Sequence, residues 1–223
     1  MKPLFLVPIV LLFSSCVRTQ TISNTELKFT QAWVWEYENE LIAKNQAGRQ
    51  GEMVVYFNPE LNYWLFNFEA YGASGEMFEW ILGKPDGTYI FSVNDEFKTY
   101  QTQQKIEFDT TQLDLKPTAK FKYFKYFTID FEPIKAEIFE LNYLKTNDKT
   151  EISLANFEAD FTALYHFNQL DSEVKLPIQF LTSLNPNQLI AEENSVVSEK
   201  RIRYKLIDVS HTEYYIQLND GKK

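Results

Sequence analysis

The chain has 223 residues and a formal net charge of −9, and 44% of its residues are hydrophobic. An acidic chain lacks the basic surface that holds nucleic acid, so the composition excludes nucleic acid as a partner, while the length suits one domain with a sizeable core. A single cysteine excludes an internal disulfide, and 16% of the residues are aromatic.

The first fifteen residues have the order of a secretory signal peptide. Lys2 precedes a short apolar run that ends at Phe13, and the small residues Ser14 and Ser15 follow. A membrane-spanning helix needs roughly 20 apolar residues, so this run is too short to be one. We therefore expect residues 1–15 to be a removable signal peptide.

Cys16 follows this signal directly, at the end of the sequence LFSSC. This sequence resembles the lipobox of bacterial lipoproteins, in the looser form typical of Bacteroidota-like bacteria, with Phe13 where the family usually has leucine. The resemblance implies cleavage before Cys16 and acylation of its sulfur, for example with palmitate, and of its new amino group. The alternative is a plain signal peptide with an accidental cysteine.

The membrane is therefore an expected partner, reached through covalent lipid at Cys16. Three acyl chains, at about 0.8 kcal/mol per buried methylene, make release negligible. The residues after Cys16 are polar and lack aromatic side chains, which predicts a lipidated, flexible tether over residues 16–26. No acidic cluster of the surface-export type follows Cys16. We therefore expect a place in the cell envelope, on the outer membrane, with the periplasmic side favoured over the cell surface.

The first strong strand signal is the segment WVWEYENEL, at residues 33–41. Aromatic and acidic side chains alternate there with period two, which predicts a strand with one buried and one solvated face. The aromatic face consists of Trp33, Trp35 and Tyr37, and the acidic face of Glu36, Glu38 and Glu40.

Two hairpins are predicted next. Residues 51–71 contain two apolar runs around Asn58-Pro59-Glu60, where proline presets a turn. Residues 76–93 contain two more around Lys84-Pro85-Asp86-Gly87, which predicts a type I turn with the glycine at positive φ. Further strands are predicted at residues 98–108, 120–131, 136–144, 174–181, 200–209 and 213–218, the last two joined as a hairpin through Ser210-His211-Thr212.

Two stretches are compatible with helices. Residues 156–170 place Phe157, Phe161, Leu164 and Tyr165 on one helical stripe. Residues 185–194 begin like a helix, with a proline in the first turn.

The predicted elements indicate an all-β fold with minor α content. About ten to eleven antiparallel strands in sequence order, with one or two short helices, favour one large curled antiparallel sheet or an up-and-down barrel. No repeat or glycine-rich linker divides the chain, so we expect a single β domain over residues 27–223.

The segment ILGKPDGTYI, at residues 81–90, resembles the periplasmic lipoprotein-carrier fold (LolA/LolB-like). That family often has a DG turn followed by W-x-Y, where this chain has Tyr89 and Phe91. The resemblance covers about residues 27–145. It implies a curled sheet over an apolar cavity, closed by short helices, that holds acyl chains or another apolar ligand.

The aromatic side chains provide the candidate binding residues. Ligand pockets are mostly apolar, but a single sheet also needs bulky side chains to fill its core, so pocket and core both remain open for this set. The candidates are Trp33, Trp35, Tyr63, Trp64, Phe66 and Trp80.

No catalytic or metal-binding pattern is present, so we expect no enzyme, no cofactor and no metal. His166 and His211 are far apart in the sequence, and no nucleophile elbow, phosphate loop or zinc-protease motif occurs. Asp109-Thr110-Thr111 resembles the short O-glycosylation site of Bacteroidota envelope proteins.

The expected function is therefore that of a membrane-anchored, non-enzymatic lipoprotein that binds an apolar or amphipathic ligand, such as a lipid or acyl chain. The alternative is an accessory or scaffold lipoprotein that binds protein partners or glycans and has no small-molecule cavity. The segment KFKYFKYF, at residues 120–127, interleaves lysines with aromatics. It predicts an edge or barrel strand with snorkelling lysines, or a strand that contacts sugar or lipid.

Overall fold

The structure is a computed structural model. Most of the described chain belongs to one β-sheet, and strands account for 65% of it. No described helix is long and apolar enough to cross a bilayer. The structure describes residues 24–67, 78–95, 98–108, 115–125, 133–142, 149–172, 174–182 and 184–219.

Eleven strands and one short helix, α1 (Thr162–His166), are present in the described ranges, and α1 continues into a 3₁₀ turn at Phe167–Gln169. The strands are β1 (Asn24–Asn39), β2 (Gln50–Asn58), β3 (Tyr63–Asn67), β4 (Phe78–Gly83), β5 (Thr88–Asp95), β6 (Lys98–Lys105), β7 (Lys116–Phe124), β8 (Ile134–Asn142), β9 (Lys149–Asn156), β10 (Gln188–Val197) and β11 (Lys200–Asn219).

The strands form a single antiparallel sheet in the order β6-β5-β4-β3-β2-β1-β11-β10-β9-β8-β7. This order is a meander in which the first and last strands pair at the centre and the sheet is open between β6 and β7. The sheet is curled but not closed. The predicted all-β class and the curled sheet are thus confirmed, whereas the up-and-down barrel is not what forms.

The central pair of long strands, β1 and β11, corrects one predicted hairpin. We expected strands at residues 200–209 and 213–218 with a turn at 210–212, but β11 runs through all three segments without turning. His211 instead pairs with Gln31, next to an irregularity in the register. The three residues contain no glycine or Asn-Gly pair to take positive φ, so the strand continues and absorbs the irregularity as a bulge.

The two early hairpins form as predicted. Between β2 and β3, the Asn58 side chain accepts a hydrogen bond from the Leu61 amide at 2.9 Å and donates to the Lys28 carbonyl at 2.7 Å. Between β4 and β5, Gly87 has φ of 82°. A Cβ at Gly87 would lie 2.5 Å from the Ile106 carbonyl oxygen, so both conformation and space require glycine there.

Four other features differ from what the sequence predicts. Residues 174–181 are not a strand but an irregular segment, and residues 185–194 contain a turn followed by β10 rather than a helix. The Gln188 amide donates to the Asn185 carbonyl, so Pro186 occupies a turn and not a helical first position. β9 was not among the predicted strands. The helical stripe shortens to α1, and Phe157 precedes it.

Apolar side chains pack on both faces of the sheet. Trp64 and Phe66 on β3 enter what we call the main cluster, which is centred on Trp33, Trp35, Trp64 and Phe66 and covered by α1. The intervening Leu65 enters a second cluster on the opposite face with Trp80. Edge strand β6 reaches the end of β11 through Gln101, whose side chain bonds the backbone of Gln217 and Asn219.

Candidate functional site

Four of the six candidate aromatic residues form the centre of the main cluster. Trp33, Trp35, Trp64 and Phe66 are each 0% exposed. The Trp33 ring lies 6.0 Å from Trp35 and 5.6 Å from Trp64, centroid to centroid. These distances are those of rings in direct contact, so no space for a ligand separates them.

The other two candidates, Tyr63 and Trp80, lie on the opposite face of the sheet. Trp80 is a member of the second cluster, and Tyr63 packs against that cluster with a half-buried side chain. The six residues therefore do not line one common cavity. The alternation along β3 and β4 places neighbouring residues on opposite faces, and a list by residue type alone mixes the two.

Two hydrogen bonds attach the main cluster to α1 and to the residues just before it. The Trp64 indole nitrogen donates to the Asp160 carbonyl at 2.6 Å, and the Tyr89 hydroxyl donates to the Ala163 carbonyl at 2.7 Å. Both bonds fix the chain around α1 onto the sheet. Trp35 differs, because its buried indole nitrogen has no hydrogen-bond partner within the described ranges.

An open groove of about 1160 Å³ begins where the main cluster ends. Its floor is formed by Tyr37, Tyr204, Glu193, Ser195 and Ile202, which come from β1, β10 and β11. Its wall is the irregular segment at residues 174–182. We use groove, floor and wall in this sense below.

The register of the sheet explains the composition of the floor. Tyr37 pairs with Tyr204, and Tyr204 pairs with Glu193, so the three side chains form one row across three strands. The next row runs through Ile202 and Ser195 to Thr150 on β9. Along this face the sheet thus passes from an aromatic core to a mixed surface of hydroxyls, one carboxyl and apolar side chains.

The wall is held by a side chain that replaces a partner strand. Asn168 accepts a hydrogen bond from the Leu176 amide at 2.7 Å and donates to the Ile178 carbonyl at 2.9 Å. Pro177 between them has no amide to offer a ladder, which is the physical reason that the predicted strand is absent. Leu176, Ile178 and Phe180 are buried, so the alternation that suggested a strand marks the buried side of an irregular segment.

Phe180 joins the wall to the core. Its ring centroid lies 5.7 Å from Trp35, 5.2 Å from Tyr165 and 5.1 Å from Tyr204. The Tyr165 hydroxyl in turn donates to the Gln188 carbonyl and accepts from the Ile190 amide. These contacts separate the aromatic core from the space of the groove.

Glu193 is the most unusual side chain on the floor, because it is a carboxyl only 7% exposed. Ser195 Oγ donates to one of its oxygens at 2.6 Å, and the Tyr204 hydroxyl donates to the other at 2.6 Å. Thr150 Oγ1 lies 2.9 Å from Ser195 Oγ, which makes a chain of hydroxyls that ends at the carboxyl. Burial raises the pKa of Glu193, and the two donated bonds oppose that rise.

The two cations that line the groove are engaged elsewhere. Lys175 Nζ donates to the carbonyls of Asn168 and Leu170. The Arg203 guanidinium lies 4.0 Å from Glu36, on the acidic face of β1. Glu193 therefore has hydroxyl partners but no ion-pair partner among the described residues.

The remaining candidates are distributed over the molecule. His166 is buried in α1 and contacts Gln169 at 2.9 Å, whereas His211 is exposed on β11. The described residues contain no group of three or more His, Cys, Asp or Glu side chains able to hold a metal ion. Cys16 and Asp109-Thr110-Thr111 lie outside the described residues.

Glu193 is not among the residues that the sequence pattern predicts for a site, because its segment resembles the start of a helix. The run LIAEENSVV does carry a signal. With strand period, Glu193, Ser195 and Val197 share one face, and a carboxyl on an otherwise uncharged strand face is unusual.

No family model and no curated protein matches the chain. Among solved structures, a structure of PNGF-II in the C2 space group aligns with a TM-score of 0.42 and 11% identity, over 87% of this chain and 30% of that one. The chain thus spans under a third of the length of that protein, and at this level the similarity carries no information about fold or function.

Proposed function

We propose that the chain is a lipid-anchored, non-enzymatic protein of the bacterial envelope that binds an apolar or amphipathic ligand in the groove. The N-terminal lipobox resemblance supports the anchor at Cys16 and the outer membrane as the place. The curled, open sheet with a short helix across one face supports part of what the carrier resemblance implies, although the rings beneath the helix are packed together without a cavity.

The observation that supports ligand binding most directly is the groove itself. Small-molecule sites are concave spaces of roughly 300–1,000 Å³ with a few polar groups among apolar ones, and the groove is slightly larger and has this mixture. Leu41, Leu181, Val197 and Ile202 offer partly exposed apolar surface along it. We therefore place the ligand over the floor, beside the packed aromatic residues.

The anchor is tested by changing the cysteine. The Cys16→Ala variant should leave the membrane fraction and appear in the soluble fraction or as unprocessed precursor, while the unchanged protein stays with the membrane. Intact mass measurement of the unchanged protein should find a chain that starts at Cys16 with added acyl mass. Recovery of residues upstream of Cys16 in the mature protein would exclude the lipoprotein proposal.

Ligand binding is tested with the soluble Cys16→Ala protein by native mass spectrometry. We expect a co-purified amphipathic molecule, and its loss when Val197→Trp puts a larger side chain into the lining of the groove. Tyr123→Trp is the matched control, since Tyr123 is 62% exposed on β7, away from the groove. A ligand retained by the Val197→Trp variant would place binding elsewhere.

A second function, a scaffold that binds protein partners, is favoured by the edge of the sheet. Among the described strands β7 has a neighbour on one side only, and it exposes Phe121 and Tyr123. Edge strands with exposed aromatic side chains are docking surfaces for other chains. Site-specific cross-linking from Tyr123 in the envelope should then give a defined partner, whereas cross-linking from the groove should not.

A further inference from the structure

The floor of the groove has free hydrogen-bond acceptors at its carboxyl. An ionised carboxylate accepts at about four lone-pair positions, and Glu193 uses two of them for Ser195 and Tyr204. Both partners donate, so they suit the ionised form and leave acceptors, not donors, for anything that enters. A ligand group with N–H donors complements this arrangement.

The charge of the floor also favours a ligand group with N–H donors that is cationic. Neither cation of the groove lining forms an ion pair with Glu193, since Lys175 bonds two backbone carbonyls and the Arg203 guanidinium lies 4.0 Å from Glu36. A buried carboxylate without an ion-pair partner gains most from a cation brought by the ligand. The chain as a whole has a net charge of −9, which attracts cations towards the groove.

The side chains around Glu193 are aromatic. Tyr37 and Tyr204 lie in the same row of the floor, and Phe180 packs on Tyr204 from the wall. Aromatic faces next to a carboxylate are the surroundings that proteins use for ammonium groups. Beyond this row, Val197 and Ile202 provide apolar surface for a tail.

We infer that the groove selects amphiphiles with a primary ammonium head, which donates hydrogen bonds to Glu193 while the alkyl tail lies along Val197 and Ile202. This inference rests on the proposed binding function and specifies its ligand class. A carboxylate head would meet Glu193 with like charge, and a quaternary ammonium would bring charge without N–H donors.

The test compares four ten-carbon probes on the soluble Cys16→Ala protein by isothermal calorimetry below their micelle concentrations. The probes are decylammonium, decyltrimethylammonium, decanol and decanoate. A charge-assisted hydrogen bond should make decylammonium bind on the order of 10- to 100-fold tighter than decanol, with decanoate the weakest. Decyltrimethylammonium should fall between decylammonium and decanol.

The variant Glu193→Gln should abolish the preference for decylammonium over decanol. Glu158→Gln, an exposed position outside the groove, removes the same charge and should keep the preference. If Glu193→Gln does not fold, Tyr204→Phe serves instead. It removes one donor, raises the pKa of Glu193 further and should move decylammonium binding to higher pH.

The outcomes separate the two proposals. Equal affinity for all alkyl probes would overturn the ammonium inference and leave the groove as a binding site. A preference that survives Glu193→Gln would also overturn it. Absence of binding by every probe would contradict the proposed ligand binding as well.

Discussion

The main cluster and the groove occupy neighbouring parts of the same sheet face, yet one is closed and the other is open. Along β1, Trp33, Trp35 and Tyr37 point to the same side at the same spacing. The two tryptophans are completely buried, whereas Tyr37 is partly exposed at the floor. The difference arises from what covers each position. Phe157 and Phe161, before α1, pack on Trp33, and Phe180 of the wall packs on Trp35, whereas Tyr37 lies at the open floor.

This comparison shows that strand alternation determines on which face of the sheet a side chain lies, but not whether other residues bury it there. Covered aromatic residues stabilise the fold, and uncovered ones beside a polar group are available to a ligand. We expect substitutions in the main cluster to change stability and substitutions at the floor to change binding.

The largest expected effect is that of Trp64→Ala. Removing a completely buried tryptophan, together with its bond to the Asp160 carbonyl, should lower the free energy of unfolding by about 3–5 kcal/mol. Urea denaturation monitored by far-UV circular dichroism measures it. The exposed Tyr123→Ala serves as control and should change stability by less than about 0.5 kcal/mol. A small decrease in the free energy of unfolding of the Trp64→Ala variant would mean that the main cluster is loosely packed.

Phe180→Ala should have the next largest effect and lower the free energy of unfolding by about 3 kcal/mol. The reason is that the ring joins the wall to Trp35, Tyr165 and Tyr204. The wall should then detach from the sheet while the strands persist. Hydrogen exchange should accelerate selectively in residues 174–182. Uniform acceleration across the sheet would indicate that wall and core unfold together, which would erase the distinction between them.

Asn168→Ala should lower the free energy of unfolding by about 1–2 kcal/mol, since it leaves the Leu176 amide and the Ile178 carbonyl without their side-chain partner. Asn168→Asp is the informative companion: it keeps the acceptor for Leu176 but loses the donor for Ile178. Proteolysis at the wall should increase in the order wild type, Asp variant, Ala variant. Equal cleavage in all three would mean that Asn168 does not hold the wall.

The smallest expected effect is a pH dependence due to Glu193. Its folded-state pKa is raised above the ordinary 4.5, so its contribution to stability is fully present below 4.5 and is lost as pH rises through the folded-state pKa. The stability of wild type relative to Glu193→Gln should therefore fall with rising pH. Urea titrations of both proteins at matched pH measure the difference; a difference that stays flat would mean that Glu193 is not desolvated. The other ionisable groups that line the groove, Glu38 among them, are present in both proteins, so the comparison isolates Glu193.

Much of the sheet could be predicted from local signals. Asn58-Pro59 and Asp86-Gly87 specify their turns through proline φ, side-chain hydrogen bonds and a positive glycine φ, all of which act within four residues. The alternation at residues 33–37 likewise predicts one buried face. These features need no knowledge of distant chain segments.

The groove could not be predicted in the same way, because long-range contacts create it. The wall resembles a strand until Asn168 replaces the partner strand, and Glu193 becomes a floor residue only when β10 pairs with β11. Ser210-His211-Thr212 resembles a turn until β1 extends alongside it. In each case the local pattern is real, but a partner distant in sequence decides the outcome.

The most direct test of the account is to locate a bound ligand by NMR, using intermolecular NOEs from the alkyl chain of decylammonium to the protein. We predict NOEs to Tyr37, Val197 and Ile202 on the floor of the groove. NOEs to Trp33, Trp64 or Phe66 instead would mean that the aromatic cluster opens to admit the ligand, and would contradict the division between closed core and open groove.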